Sequence, residues 1–448
     1  MHRAKFILLL TFMLGLLLSA RANGTNSLVW HTATDRVSAD VRGEALWPLL
    51  EDIAHKTGWH IFVEPGTDRK TDVKFNDLPR GQALKKLLGD LNFAFVPKTN
   101  GPDFLYVFTT TMQAAIQRVA ETNAAKHVAN ELLVKVKAGT DIDALAKSLG
   151  AQVVGRDDAL GIYRLRFANE ADMEAALAKL KDNPDVATVS YNYLYEPPVS
   201  PQSLANAAAK PISLSLKAPG DSGRVIVGLV DTAIQPLGNG LDKFLLTPIS
   251  VAGEANVDGS EPTHATSMAE TILRGMADQG DSTSAQILPV DVYGSGELAS
   301  TWNIAVGIQQ AVNAGANPIN LSLGSTSDSP ILDQVIHDAQ AQGVVFFAAA
   351  GNTPVNTATY PAAVPGVYAV GATQGSQFAP YSNYGNFIVL ALPGASFVSL
   401  GGTTYVVQGT SPATAYASGI AAGAKSGTSM TWPQIISAMQ QNFPVPSR

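Results

Sequence analysis

Cysteine is absent from the chain, which excludes disulfides, thiolate metal sites and a cysteine nucleophile. Charge is scarce, at 15% of residues, and no long run carries one sign. The formal net charge of -7 argues against a nucleic-acid partner, which would need a basic face. After residue 22 no apolar run is long enough to span a bilayer. Such a chain must be held by its core. Its 46% hydrophobic content and 39 glycines suit tight packing of small residues. Its 448 residues leave room for two or three domains.

What is present begins with an export signal. His2, Arg3 and Lys5 give a basic start, residues 6–18 are apolar, and Ala20-Arg21-Ala22 fits the small-x-small cleavage rule. Residues 1–22 are therefore expected to be removed, leaving a secreted or periplasmic protein with no membrane span.

Residues 23–110 alternate strand-like and helix-like periods in β-α-β-β-α-β order. With the run GQALKKLLGDLNFAF at 81–95, this module resembles the short N-terminal domain of secretins and TonB-dependent receptors. The resemblance implies a protein contact in the cell envelope. Residues 111–129 form an Ala-rich connector expected to be helical. Residues 130–198 repeat βαβ twice, which predicts a ferredoxin-like, four-stranded antiparallel sheet with two helices on one face. Residues 199–221, rich in Pro, Ser, Ala and Lys, read as an exposed linker open to nicking.

Residues 222–448 alternate near-continuous apolar strands with amphipathic helices, which predicts an α/β fold with a doubly wound parallel sheet. Sites in such sheets lie at the carboxyl ends of the strands. One strand ends at Asp231, another at Gly351-Asn352, and a third closes with Ser322-Leu323-Gly324. His264 opens a helix. Gly409-Thr410-Ser411 stands between a strand-like run at 403–408 and a small-residue run at 413–424. A serine there can use free N–H groups at the helix start. Pro412 suits the first helical position.

These residue types make a hydrolytic centre. Ser411 needs a base. His264 can take its proton and return it to a leaving amine. Asp231 would fix the imidazole tautomer. Asn352 and the Ser411 N–H would face the developing oxyanion.

Four stretches in order carry a resemblance to the subtilisin-like serine peptidases, the subtilases. They are Asp231-Thr232-Ala233, His264-Ala265-Thr266-Ser267-Met268-Ala269, Ala348-Ala349-Ala350-Gly351-Asn352 and Gly409-Thr410-Ser411-Pro412-Ala413. The resemblance implies a subtilisin-like fold and a serine endopeptidase acting on protein or peptide substrates. It implies Ser322, Leu323 and Gly324 as one wall of the specificity pocket, and Ala349, Ala350 and Gly351 as the other. It also implies that 130–198 is an inhibitory propeptide whose tail from Tyr191 lies in the cleft. Cleavage in or near 195–221 would then release the enzyme. Thr359 stands where many relatives have glycine at the pocket base, which points to small substrate side chains. No cofactor is implied, and 280–285 offers no recognisable calcium-ligand set.

The residues leave rivals open. Gly427-Thr428-Ser429 repeats the motif, but no apolar strand leads into it, so Ser429 reads as a helix-start residue. His337 rivals His264, yet Asp333, Asp338 and Gln340 around it mark a solvated face. Ala233 and Ala265 replace family glycines, adding methyl groups beside the cleft. That favours an alternative: a subtilase-like fold that binds peptides or partners without turnover.

Overall fold

Apolar residues alternate at Val37, Ala39 and Val41 and recur at helical spacing from Leu46 to Ala54. The computed structural model folds these two stretches as strand and helix. It describes residues 26–97, 103–115, 117–119, 127–196, 202–204, 209–218, 224–255, 257, 259, 261–296 and 298–447. The expected signal peptide lies outside these residues. The described chain divides into two compact units, one made of 26–57 with 68–90, the other of 58–67 with everything from 91 onward.

The elements of the N-terminal region are β1 (Ser27–His31), β2 (Arg36–Ala45), α1 (Leu46–Thr57), β3 (His60–Val63), β4 (Lys70–Pro79), α2 (Arg80–Leu88), β5 (Asn92–Val96), β6 (Phe104–Phe108) and β7 (Gln117–Arg118). In the first unit β1, β2 and β4 form one sheet, against which Leu49, Leu50, Ile53, Leu84 and Leu87 are buried. In the second unit β5, β6, β3 and β7 form another. The expected strands thus fall into two sheets. The connector is not helical where it is described: it holds one 3₁₀ turn, Met112–Ala114, and the short β7.

Next come β8 (His127–Val136), α3 (Ile142–Ser148), β9 (Gln152–Asp157), β10 (Ile162–Arg166), α4 (Glu170–Lys181) and β11 (Val186–Tyr195). Asp141 and Asn169 cap the two helices through side-chain oxygens. The sheet order is β11-β8-β10-β9, all antiparallel, the ferredoxin-like arrangement expected from the repeat.

The remaining elements are β12 (Gln202–Ser203), β13 (Ser215–Leu216), β14 (Ile226–Asp231), β15 (Ile249–Ser250), α5 (His264–Ala277), β16 (Ser282–Thr283), β17 (Gln286–Asp291), β18 (Ala299–Ser300), α6 (Thr301–Asn313), β19 (Ile319–Leu321), α7 (Pro330–Ala341), β20 (Phe346–Ala349), β21 (Tyr368–Gln374), β22 (Gln377–Phe378), β23 (Ile388–Pro393), β24 (Ala395–Leu400), β25 (Thr403–Gln408), α8 (Thr410–Gly427) and α9 (Trp432–Asn442). The central sheet runs β15-β17-β14-β19-β20-β21-β22, with β23 also on β21, and is parallel except for β22. This is the doubly wound α/β sheet read from the sequence. Helices α5 and α8 cross closely because glycines stand at the crossing. A Cβ on Gly419 would lie 2.1 Å from the carbonyl oxygen of Ile272, and one on Gly275 would lie 2.5 Å from that of Tyr416.

Composition failed in the 199–221 stretch. Its described residues are not a bare linker: β12 pairs with β25, β13 pairs with β16, and Leu214 is buried. The strand β24, partner of β25, also went unread.

Candidate active site

Asp231, the last residue of β14, is 1% exposed, and His264, the first of α5, is 5% exposed. Thr263 caps α5 by accepting from the Thr266 N–H. This brings the imidazole to the carboxylate, with His264 Nδ1 2.8 Å from Asp231 Oδ1 and 2.9 Å from Oδ2. The Thr232 N–H donates to Asp231 Oδ1 at 2.7 Å, and the Thr232 hydroxyl accepts from the Ala265 N–H at 3.0 Å. A carboxylate held this way keeps the proton on Nδ1 and turns Nε2 outward as a base. Nε2 is buried and has no hydrogen-bond partner among the described residues.

Ser411 is the second residue of α8 and is 5% exposed. The helix starts at Thr410, so Pro412 is its third residue and not its first. It remains in the first turn, where no N–H partner is needed. Before it, Gly409 has φ 145, and a Cβ there would approach Asn352 Nδ2 to 3.0 Å. Asn352 Oδ1 accepts from the Thr410 N–H at 2.9 Å and the Thr410 hydroxyl at 3.1 Å.

Ser322 and Ser411 exchange hydrogen bonds. Ser411 Oγ donates to the Ser322 carbonyl at 3.3 Å, and Ser322 Oγ donates to the Ser411 carbonyl at 3.2 Å. Ser411 Oγ is not hydrogen-bonded to His264 in this arrangement. Gly324 and the Ala349-Ala350-Gly351 stretch flank Thr359. The Thr359 Cγ2 lies 3.1 Å from a Cβ built on Gly324, and its Oγ1 lies 3.2 Å from one built on Gly351. Asn383 Nδ2 donates to that Oγ1 at 2.9 Å. Leu323 points its side chain into the core and contributes only backbone here.

The hydrogen bonds join Asp231 to His264, Asn352 to Thr410 and Ser411 to Ser322, and neither rival takes part in them. His337 sits exposed on α7, bonded to Gln340 Oε1 at 3.0 Å, and Ser429 precedes α9. The Ala265 methyl does not narrow the cleft: Ala265 is fully buried in the core with Met268 and Leu237. Among the described residues no cluster of three or more His, Asp or Glu could hold a metal ion.

Several residues here escaped the sequence reading. Gln235 accepts from the Thr263 N–H at 2.8 Å and reaches the carbonyls of Val257, Gly259 and Glu261 at 3.0–3.1 Å, fixing the approach to His264. Asn320 Nδ2 donates to Ser322 Oγ at 2.9 Å, and Ser418 Oγ donates to Asn320 Oδ1 at 3.0 Å. Polar residues inside the apolar run INLSLG were the available signal for this pair. Nothing in the sequence flagged Asn383.

The tail of β11 approaches the same region. Leu194 and Tyr195 pair antiparallel with Ser300 and Ala299 of β18. The Tyr293 hydroxyl donates to the Glu196 carbonyl at 3.2 Å, and Tyr195 is fully buried beside Leu323, Ile304 and Tyr293. Residues 197–198 of the expected propeptide tail lie outside the described residues. Asn192 Oδ1 accepts from the Trp302 N–H at 3.1 Å, at the start of α6, and Lys135 pairs with Asp338 of α7 at 2.9 Å.

Comparison with known proteins agrees with this fold. The model of the subtilase family matches residues 222–443, and that of the fervidolysin N-terminal prodomain matches 113–192. Subtilisin Savinase of Lederbergia lenta is 36% identical over 186 residues, which cover 39% of this chain and 69% of that one. A thermostable alkaline protease of Halalkalibacterium halodurans is 38% identical over 195 residues, covering 40% of this chain and 53% of that one. The chain thus spans about half the length of the first curated relatives it matches. Among solved structures, fervidolysin from Fervidobacterium pennivorans, a keratinolytic enzyme related to subtilisin, has a TM-score of 0.56 at 20% identity, covering 72% of this chain and 58% of that one. At that identity the likeness speaks for the fold.

Proposed function

The chain belongs to the subtilase family, and on that premise we propose that it is a secreted serine endopeptidase made as a zymogen. The observation that carries this reading is the buried Asp231–His264 pair at 2.8 Å, whose Nε2 has no partner among the described residues, in a chain that also sets Ser411 in the first turn of a helix. Ser411 gives its proton to His264 Nε2 as its Oγ bonds to the substrate carbonyl carbon. The Ser411 N–H and Asn352 Nδ2 hold the oxyanion. His264 passes the proton to the amine as the C–N bond breaks. Water then repeats the sequence on the acyl-enzyme.

Residues 130–198 act as the propeptide. The β11 tail paired on β18 supports inhibition by occupation of the cleft. Thr359 at the base of the pocket supports a preference for small side chains before the scissile bond. Residues 1–22 direct export. No helix of the described residues is long and apolar enough to cross a membrane. An envelope protein contact through 23–110 rests on sequence pattern alone. Unchanged localisation and processing after deletion of 23–110 would remove it.

The rival reading, a binding protein without turnover, draws on the Ser411 hydroxyl being turned to Ser322. Labelling with a fluorophosphonate probe separates the two. An active peptidase labels and hydrolyses a peptide pool, and Ser411→Ala does neither. Absence of labelling in the processed wild-type protein leaves the binding role. A Ser411→Ala chain that still loses its N-terminal part when expressed alone would rule out self-processing.

A further inference from the structure

Asn383 is 1% exposed and stands in the connection between β22 and β23, where it joins two stretches of the candidate site. Its Oδ1 accepts from the Thr353 N–H at 2.8 Å and from the Thr353 hydroxyl at 3.0 Å. Its Nδ2 donates to Thr359 Oγ1 at 2.9 Å, and its backbone N–H donates to the Gly351 carbonyl at 2.9 Å. The Thr353 N–H can only donate, which fixes the end of the amide that faces it as oxygen. Asn383 is held in turn by the fully buried Ser382. Ser382 Oγ accepts from the Ala372 N–H of β21 at 2.9 Å and donates to the Asn383 carbonyl at 2.9 Å.

These bonds bracket Asn352. Its neighbours Gly351 and Thr353 are both tied to Asn383. Asn352 itself is tied to Thr410, the residue before Ser411, and the Gly351 N–H donates to Thr410 Oγ1 at 3.1 Å. Gly351 has φ 104, and a Cβ there would lie 2.5 Å from Asn383 Nδ2. Thr359 presents its Oγ1 to Asn383 and its methyl to the Gly324 side. Tyr360, next in the chain, exchanges two backbone hydrogen bonds with Ser325, each 2.8 Å long. A shift of the Asn383 amide therefore disturbs the pocket base and both neighbours of Asn352 together.

We propose that Asn383 is a positioning residue that sets Asn352 and Thr359 in one register, so that oxyanion stabilisation and side-chain selection depend on the same buried amide. It acts through those two residues. This role rests on the peptidase reading of Ser411 and Asn352, whereas the bonds to Thr353 and Thr359 do not. A buried amide bonded through both its ends holds its partners in place, and truncating it leaves their polar groups unpaired. Turnover is sensitive to such play, since a displacement near 1 Å can cost about 10²-fold.

The test uses processed protein whose active sites are counted with a fluorophosphonate, so that misfolded molecules do not enter the rates. Asn383→Ala is expected to lower kcat about 10–100-fold on a peptide with Ala before the scissile bond, with a smaller change in KM. In an Asn352→Ala background the same substitution should lower kcat less than about threefold, because the group it positions is gone. Equal losses in the two backgrounds overturn the role. Thr359→Val is the second variant, for the case that Asn383→Ala does not fold. It conserves volume and removes the acceptor of Asn383 Nδ2. It should lower kcat about threefold to tenfold, again less in the Asn352→Ala background, and a loss independent of Asn352 overturns the coupling. In the full Ser411→Ala chain, Thr359→Val should lower the melting temperature by about 2–6 °C, because a buried donor loses its partner. No shift there overturns the bond on which the positioning depends. A processed wild-type chain that the probe does not label removes the peptidase reading and the catalytic role of Asn383 with it, while the melting comparison decides the bond by itself.

Discussion

The hydroxyl of Ser411 donates to the backbone carbonyl of Ser322 at 3.3 Å, so the proposed nucleophile rests against the residue proposed for the pocket wall. The return bond from Ser322 Oγ to the Ser411 carbonyl, at 3.2 Å, fixes the turn that carries it. Asn320 and Ser418 extend this pairing through the core from β19 to the third turn of α8. The backbone at Ser411 is thus tied at two levels. Buried polar groups satisfied in this way give rigidity where catalysis needs it.

Asp231→Asn should leave the fold intact and lower kcat by roughly 10⁴, because an amide can donate to Nδ1 and favour the wrong tautomer. The expected companion result is little change in KM for a peptide substrate. Steady-state kinetics on processed protein checks it, and a loss below about tenfold would mean the carboxylate is not orienting His264.

How much of this was legible depends on where the information lies. Near-continuous apolar runs ending at Asp231 and Asn352 made the central sheet readable, since strands buried on both faces leave that signature. The antiparallel sheet at 130–198 was readable for another reason, the βαβ order repeated twice. The described part of 199–221 was misread because composition reports average polarity, whereas Leu214 acts through one buried side chain and β12 through backbone hydrogen bonds, which any residue can make. The worry over Ala265 failed because sequence spacing places the residue next to His264 without saying that its methyl points into the core. Asn383 and Gln235 act across loops, at separations of 24 and 28 residues from Thr359 and Thr263, and no local pattern marks such partners.

Asn352→Ala removes the proposed oxyanion donor and the acceptor that holds the Thr410 N–H. A fall of about 10²–10³ in kcat with KM largely kept is expected. Labelling by a fluorophosphonate should slow in parallel. If KM rises instead while kcat holds, Asn352 acts in binding.

Thr359→Gly should open the base of the pocket by removing the methyl and hydroxyl that lie against Gly324 and Gly351. The ratio of kcat/KM for substrates with Phe rather than Ala before the scissile bond is expected to rise by about 10–100-fold. Competition between two such peptides in one tube measures that ratio directly. An unchanged ratio would place the selectivity elsewhere in the cleft.

Asp333 on α7 supplies a prediction whose sign can be worked out. Burial, then the charge and hydrogen bond of neighbouring Asp328, push its carboxyl up from 3.8 to about 7, and His337 pulls the other way. Tyr195 and Tyr360 sense the same two carboxylates, and Tyr193 senses Asp328. Between those two values the folded chain holds a proton that the unfolded chain has released. Stability from this group is therefore greatest at the acid end, falls as pH rises through the window, and stays lower above it. Asp333→Asn imitates the protonated acid and removes this dependence. In the Ser411→Ala background, which prevents autolysis, the variant should match its parent in melting temperature near pH 4 and exceed it near pH 8. The excess should be small because the carboxyl is half-exposed and screened. A gap that stays constant from pH 4 to 8 would show that Asp333 remains ionised throughout.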